Sequence, residues 1–293
     1  MKAAEFDYAA AGSVEEACRL LAGAQGEGKI IAGGQTLVPL MAMRLARPAL
    51  LVDINGIADL RGIVREDDHL ALGAGTRQAD ALADPVLRRE LPLMAKALRF
   101  VGHGQTRNRG TIGGSLANAD PSAEICLVAA TLGAELVARS SAGERRFAAR
   151  DFFLGAMTTA LAPEDCLVAA RFPLWRDARR LGTGFQEVSI RRSDFALVAA
   201  AAQLALDADG ICRRAALGVG GAAATPLSLE AAAARLAGTR LEASDIAAAV
   251  ALAHAAIEPI SDLHASAAYR RRVAGALIAR AISEARADAE TRG

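Results

Sequence analysis

Two diglycine bends, each set between an apolar run and a helical pattern, constrain this 293-residue chain more than any other feature. The first is Ala32-Gly33-Gly34-Gln35-Thr36, between Lys29-Ile30-Ile31 and a helical stretch from Leu37 to Leu45. Pro39 is tolerated in that helix's first turn. Paired glycines let the backbone approach a ligand closely, several N–H groups converge on one spot, and the following helix adds partial positive charge. A phosphate or pyrophosphate suits such a bend; an ordinary strand-to-helix turn is the alternative. The second is Thr111-Ile112-Gly113-Gly114-Ser115-Leu116-Ala117-Asn118-Ala119-Asp120-Pro121-Ser122-Ala123-Glu124. It repeats the device and adds hydroxyls, an amide and two carboxylates. Its backbone N–H groups can hold a diphosphate, and Glu124 can accept hydrogen bonds from ribose-like hydroxyls. The alternative is a Gly-rich loop with Asp120-Pro121 starting a helix. Two such bends about 80 residues apart favour a split dinucleotide site over either reading alone.

Around these bends the first half alternates short strands and helices. Ser13-Val14-Glu15-Glu16 forms a capping box, and its helix runs to about Leu21. Leu50–Asp53 reads as a buried strand, with further strands near Gly62–Arg65 and His69–Gly73, and Thr76 and Asp84-Pro85 look like helix starts. A hairpin is expected over Arg139–Arg146 and a strand over Leu167–Phe172. The polar, basic stretch Trp175–Arg180 marks the boundary between domains 1–175 and 176–293. Beyond it, Phe195–Leu206 and Ile211–Gly218 flank the turn Asp207–Gly210, and helices follow at Leu229–Ala237, Ala243–Ile257 and Ala267–Arg286.

Composition excludes several classes. Lys+Arg 34 against Asp+Glu 33 leaves a net charge of +1 and no basic block for nucleic acid. Mean hydropathy is high at +0.23, yet the longest strongly apolar stretch, Ile246–Ile257, cannot span a bilayer and reads as a buried helix. The N-terminus lacks the basic-then-apolar order of a signal peptide, and the four cysteines show no C-x-x-C, so a reducing cytoplasm is expected. Gly23-x4-Gly28-Lys29 has P-loop spacing, but Ile30 stands where Ser or Thr should ligate Mg²⁺. No G-x-G-x-x-G or G-x-S-x-G occurs. The four histidines show no metal spacing; His254 reads as a satisfied core residue and His103 as a possible lining of the second bend.

AGGQTLVPLM at 32–41 and TIGGSLANADPSAE at 111–124, together, resemble the FAD-binding subunit of the molybdenum hydroxylases, the family of xanthine dehydrogenase and aerobic carbon monoxide dehydrogenase. Phe185–Ser189, Arg192–Ala196, Ile260-Ser261-Asp262 and Ala267–Arg271 extend the resemblance over essentially the whole chain. It implies an α+β protein: a vanillyl-alcohol-oxidase-type FAD-binding domain of two α/β subdomains, then a smaller sheet-plus-helices C-terminal domain. By motif position, Ile31, Ala32, Gly33, Gly34, Gln35 and Thr36 would meet FAD, mostly at its pyrophosphate. Thr111, Gly114, Ser115, Asn118 and Glu124 would complete the grip, with Gly102 and Leu167 also at cofactor positions.

The resemblance also implies partners: a large subunit with the molybdenum cofactor, a small one with two [2Fe–2S] clusters, and a dimer of heterotrimers. This chain would pass electrons through FAD to an external acceptor, with no catalytic side chain of its own. Several relatives place a Lys near the flavin where Gln186 and Glu187 stand here, which leaves the flavin potential open. The holoenzyme's substrate and terminal acceptor are not readable from this chain. Two rival readings are a self-sufficient flavin oxidase or dehydrogenase, with His103 and Tyr269 as loose candidates for its proton chemistry, and a non-catalytic nucleotide-binding assembly module.

Overall fold

Ser13 opens the first helix, Val14–Gly23, by accepting a hydrogen bond from Glu16 N at 3.1 Å. The Glu16 carboxylate accepts from Gly12 N at 2.8 Å, one residue earlier than an ideal capping box would have it. The helix buries Val14, Ala17, Cys18 and Leu21 and crosses over between parallel strands. In this computed structural model, which describes residues 2–291, those strands form a three-stranded parallel sheet in the order Asp7–Ala10, Leu50–Asp53, Gly28–Ile31. Met1 of the first expected domain and Arg292 and Gly293 of the second lie outside the described residues. The register aligns Ala10, Asp53 and Ile31, so the first bend leaves from the carboxyl edge of this sheet. That edge is where open α/β sheets receive ligands.

A second, antiparallel sheet has five strands in the order Ile63–Arg65, His69–Gly73, Cys166–Pro173, Glu135–Ser140, Gly143–Ala148. Short helices cover its inner face. One of them, Glu124–Leu132, is buried at every residue, which is why its sequence is apolar nearly all round. Asp84 caps the helix Pro85–Glu90 by accepting from Leu87 N at 2.9 Å, as expected. Thr76 caps nothing: its hydroxyl exchanges bonds with Gly62 N and O at 2.9 and 3.0 Å, and the nearby helix, Gln78–Ala83, starts after Arg77.

The third sheet is antiparallel, in the order Arg180–Ser189, Ala196–Leu206, Cys212–Gly220, Leu227–Ser228. The first of these strands has no signal in the sequence reading, because Gly182 and Gly184 weaken its strand pattern. Their role is close packing. A Cβ on Gly182 would stand 2.7 Å from Ala289 Cβ, and one on Gly184 2.8 Å from the carbonyl carbon of Ala281. Both partners lie on the long C-terminal helix Ala267–Thr291. Along Ala196–Leu206 the period of two divides the residues: Val198, Ala200, Ala202 and Leu204 face the helices, while Ala199 and Ala201 join the core of the first half. The expected buried helix at Ile246–Ile257 is instead an outer one, Ala243–Ala256, with only Ala249 and Ala253 buried and Leu252 43% exposed. Two alanines four residues apart make too narrow a stripe to bury a helix on all sides.

Candidate functional site

The two bends meet. A Cβ on Gly33 would stand 2.8 Å from Gly110 Cα and 3.0 Å from the carbonyl carbon of Arg109, and closer still to that carbonyl's oxygen. Gly33 is the residue that lets the first bend lie on the chain entering the second. Gly34 serves differently: its φ is +71°, a left-handed conformation that side chains resist. Ile31 ends its strand, and Ala32 O accepts from Asn55 Nδ2 at 2.8 Å. Gly33 O accepts from Gln35 Nε2 at 3.1 Å, and Thr36 precedes the helix Leu37–Ala42 without a side-chain capping bond. That helix ends short of the expected Leu45, with Arg44 left-handed at φ +60°. Among the described residues, the N–H groups of Gly33, Gly34, Gln35 and Thr36 donate to no protein acceptor.

The second bend is built otherwise. Ile112 N donates to Thr76 O at 3.0 Å, Gly113 N to Ala74 O at 2.8 Å, Gly114 N to Thr111 Oγ1 at 3.0 Å and Ser115 N to Thr111 O at 3.2 Å. In this structure these amides seat and cap the helix Ile112–Asn118. A Cβ on Gly113 would come within 2.7 Å of Ala74 Cα. What this bend presents outward is the exposed edge of Gly114 and Ala117 with the half-buried side chains of Ser115 and Asn118. Asn118 Nδ2 contacts Met157 Sδ at 3.4 Å.

The other expected residues take different places. Leu167 is 5% exposed and adjoins Val168, whose carbonyl accepts from Ala74 N at 2.9 Å beneath the second bend. Gly102, at φ +47°, is held by Arg107 Nη1, which donates to Val101 O at 2.8 Å and Gly102 O at 2.7 Å. Glu124 is 7% exposed, and burial, reinforced by the charge of Asp120, pushes its carboxyl up to about 7. Burial and then the charge of Glu124 push Glu187 up to about 8, and its buried Oε2 has no hydrogen-bond partner among the described residues. His103 is exposed beside the second bend, whereas Tyr269 lies at the start of the C-terminal helix under Arg272, so the two loose candidates for proton chemistry sit on different halves. His254 is half-buried and packed over Gly275, not in the core, and its buried Nε2 has no hydrogen-bond partner among the described residues, against the expectation of a satisfied core residue.

One set of functional candidates escaped the sequence reading. Tyr8 Oη donates to Asp53 Oδ2 at 2.6 Å, and Asp53 Oδ1 accepts from both Asn55 N and Asn55 Nδ2 at 2.7 Å. Arg77 Nη2 donates to Asn55 Oδ1 at 2.7 Å, while its Nη1 donates to Arg109 O and Arg61 donates to Asn55 O. Burial, then the charges of Arg109 and Arg61, lower the pKa of Arg77. Burial opposes the charge on Asp53, yet the bonds from Tyr8 and Asn55 and the charge of Arg109 outweigh it and hold its carboxyl low. Arg77 thus holds the carbonyl of Arg109, against which Gly33 packs, and the charges of Arg61 and Arg109 lie near enough to lower its pKa. Only the fold reveals this, since Arg61, Arg77 and Arg109 are scattered along the chain. Among the described residues no group of His, Cys, Asp and Glu is placed to hold a metal ion, and no helix is long and apolar enough to cross a membrane.

Comparison with known proteins identifies the family and the fold. Residues 4–175 match the model of the FAD binding domain in molybdopterin dehydrogenase, and residues 183–285 that of the CO dehydrogenase flavoprotein C-terminal domain. The chain is 39% identical over 285 residues to the 6-hydroxypseudooxynicotine dehydrogenase complex subunit alpha of Paenarthrobacter nicotinovorans, covering 97% of this chain and 96% of that one. It superimposes on reconstituted CO dehydrogenase from Oligotropha carboxidovorans with a TM-score of 0.95 at 36% identity, over 99% of this chain and 100% of that one. For quinoline 2-oxidoreductase from Pseudomonas putida 86 the TM-score is 0.92 at 37% identity, over 99% of both chains. The α+β architecture expected from the motif pair is the one these structures share. The chain belongs to the FAD-binding medium subunits of the molybdenum hydroxylases, as a subunit of an oxidoreductase.

Proposed function

We propose that this chain seats FAD across its two bends and relays electrons from the [2Fe–2S] clusters of a small partner subunit to an external acceptor. A large partner subunit would hold the molybdenum cofactor and oxidise the substrate, in a dimer of heterotrimers in the cytoplasm. FAD, when bound, supplies reversible two-electron redox chemistry. The observation that carries the reading is the first bend: four consecutive amides without acceptors among the described residues, packed on the chain that enters the second motif, where Arg77 holds the Arg109 carbonyl. That donor set fits a diphosphate.

On this reading Gly33, Gly34, Gln35 and Thr36 bind the diphosphate through backbone N–H groups, between Ile31 and Ala32 on one side and Arg109 on the other. Thr111 and Gly114 brace the second bend. Ser115, Asn118 and Glu124 offer polar side chains to the cofactor's hydroxyls, and Gly102 and Leu167 complete the wall. Glu124, pushed up to about 7 by burial, can accept from a ribose hydroxyl as a carboxylate or donate as an acid. The domain division at 1–175 and 176–293 belongs to the same proposal, supported by the step from the second sheet, ending at Pro173, to the third, beginning at Arg180. Purification from the native source tests the whole reading: co-purifying large and small chains, bound molybdenum and iron and a flavin spectrum are expected. Turnover by the single chain, without molybdenum or iron, would replace it with a self-sufficient flavin enzyme. A bound nucleotide with no reducible flavin spectrum would replace it with an assembly module.

A further inference from the structure

Glu284, a side chain outside the site described above, gathers polar contacts from both halves. The strand Arg180–Ser189 is an edge of its sheet, so the N–H and C=O groups of alternate residues point away from the neighbouring strand and need other partners. Carboxylates of the C-terminal helix supply them. Glu284 Oε2 accepts from Phe185 N at 3.1 Å and from Gln186 Nε2 at 2.8 Å. One turn on, Asp288 Oδ2 accepts from Thr183 N at 2.8 Å and Thr183 Oγ1 at 3.0 Å. The first half reaches the same edge through Lys96, on the helix Pro92–Ala97. Its Nζ donates to Glu284 Oε1 at 2.7 Å and to Thr183 O at 2.6 Å.

This clamp is not what fastens the helix to the sheet. Gly182 and Gly184 already do that by contact with Ala281 and Ala289, within a continuous apolar core. The clamp acts on one stretch only, Thr183–Gln186, and on its distance from the first half. Phe185 turns its ring to that half, 5.1 Å from the ring of Phe100 between centroids. Phe100 leads directly into Val101 and Gly102, which Arg107 holds from the other side. A continuous line of contacts therefore runs from Glu284 through Phe185 and Phe100 to Gly102.

We propose that Glu284 is a positioning residue for the cofactor: by fixing Phe185 against Phe100 it sets the loop 100–102, and so ties the seat of FAD to the clamp between the halves. This rests on the FAD reading above. The test uses the FAD-loaded chain and its stripped form, with Glu284→Gln, Glu284→Asp and Lys96→Met. Three quantities are measured: the FAD dissociation constant by fluorescence, the visible circular dichroism of bound flavin, and the melting temperature of the stripped form. All three variants are expected to weaken FAD binding roughly 3- to 30-fold and to change the flavin's visible dichroism. Glu284→Gln combined with Phe100→Leu should lose less than the product of the separate losses, because both act on one line of contacts. Should Glu284→Gln fail to fold, Glu284→Asp decides, since its shorter side chain draws the carboxylate back from Phe185 N and Gln186 Nε2 while keeping its charge. Wild-type affinity and dichroism in the variants that fold, even with a lowered melting temperature, would reduce the clamp to a stabilising contact and overturn the proposal. Failure of the wild-type chain to bind FAD at all would instead overturn the reading on which it rests.

Discussion

Gly33→Ala puts the convergence of the bends to the sharpest test. The added methyl would stand 2.8 Å from Gly110 Cα and 3.0 Å from the Arg109 carbonyl carbon, where ordinary contact begins near 3.4 Å. Both neighbours are backbone, so no side chain can swing aside, and the bends must part by roughly half an ångström or more. Arg109 O is also the acceptor of Arg77 Nη1, so the shift pulls on the guanidinium that steadies Asn55 and, through it, Ala32. Overpacking of this kind costs roughly 1–3 kcal/mol. Taken entirely from ligand binding, that is about a 5- to 150-fold loss of FAD affinity. Fluorescence titration of the stripped protein measures it, with thermal melting to separate the loss of stability. Gly104→Ala is the control: its Cβ meets nothing within 4 Å, and it should bind FAD as the parent does. If Gly33→Ala keeps both the parent's affinity and its melting temperature, the bends do not form one seat.

Arg109→Gln should weaken FAD binding more at low than at high ionic strength, since it removes charge rather than shape; a loss independent of salt would remove Arg109 from the site. Glu187 and Glu124 have folded-state pKa values of about 8 and about 7, above their unfolded values, so the folded chain holds the extra protons. Their contribution to stability is full below the ordinary glutamate range and is lost as pH rises through 7 and 8. Glu187→Gln should therefore flatten the fall in urea-midpoint stability between mildly acidic and alkaline pH, and an unchanged slope would refute the assignment. Thr111→Val removes the acceptor for Gly114 N and should cost about 1 kcal/mol in global stability, measured by denaturant unfolding. No loss there would mean that Gly114 N finds another acceptor.

The parts legible in the sequence are those with local causes. Ser13 and Asp84 cap helices wherever they occur in such a pattern, and the hairpin about Asp207–Gly210 follows from its turn residues. The close backbone approach at Gly33 is legible for the same reason, in its paired glycines. What escaped has its cause at a distance. The strand Arg180–Ser189 is strand only because a helix about 100 residues later lies against its glycines. Thr76 carries the composition of a cap but is claimed by Gly62 across a neighbouring strand pair. Arg61, Arg77 and Arg109 become a cluster only when the carboxyl edge of the parallel sheet meets the chain entering the second bend.

The same reasoning explains why two similar motifs do unlike work. In a diglycine bend the missing side chains permit either close approach or unusual dihedral angles, and the surrounding acceptors decide whether the amides remain available. Around Gly33 and Gly34 no acceptor among the described residues takes the amides, although the Arg109 carbonyl packs against Gly33, and the second glycine is left-handed. Around Gly113 and Gly114 the carbonyls of Thr76 and Ala74 and the Thr111 hydroxyl lie within reach, so the amides are consumed. The second bend becomes a brace that holds the approach through Arg109 and Gly110 firmly beneath the first. The donors of the second bend are already taken, and that fixes the brace on which the first bend rests.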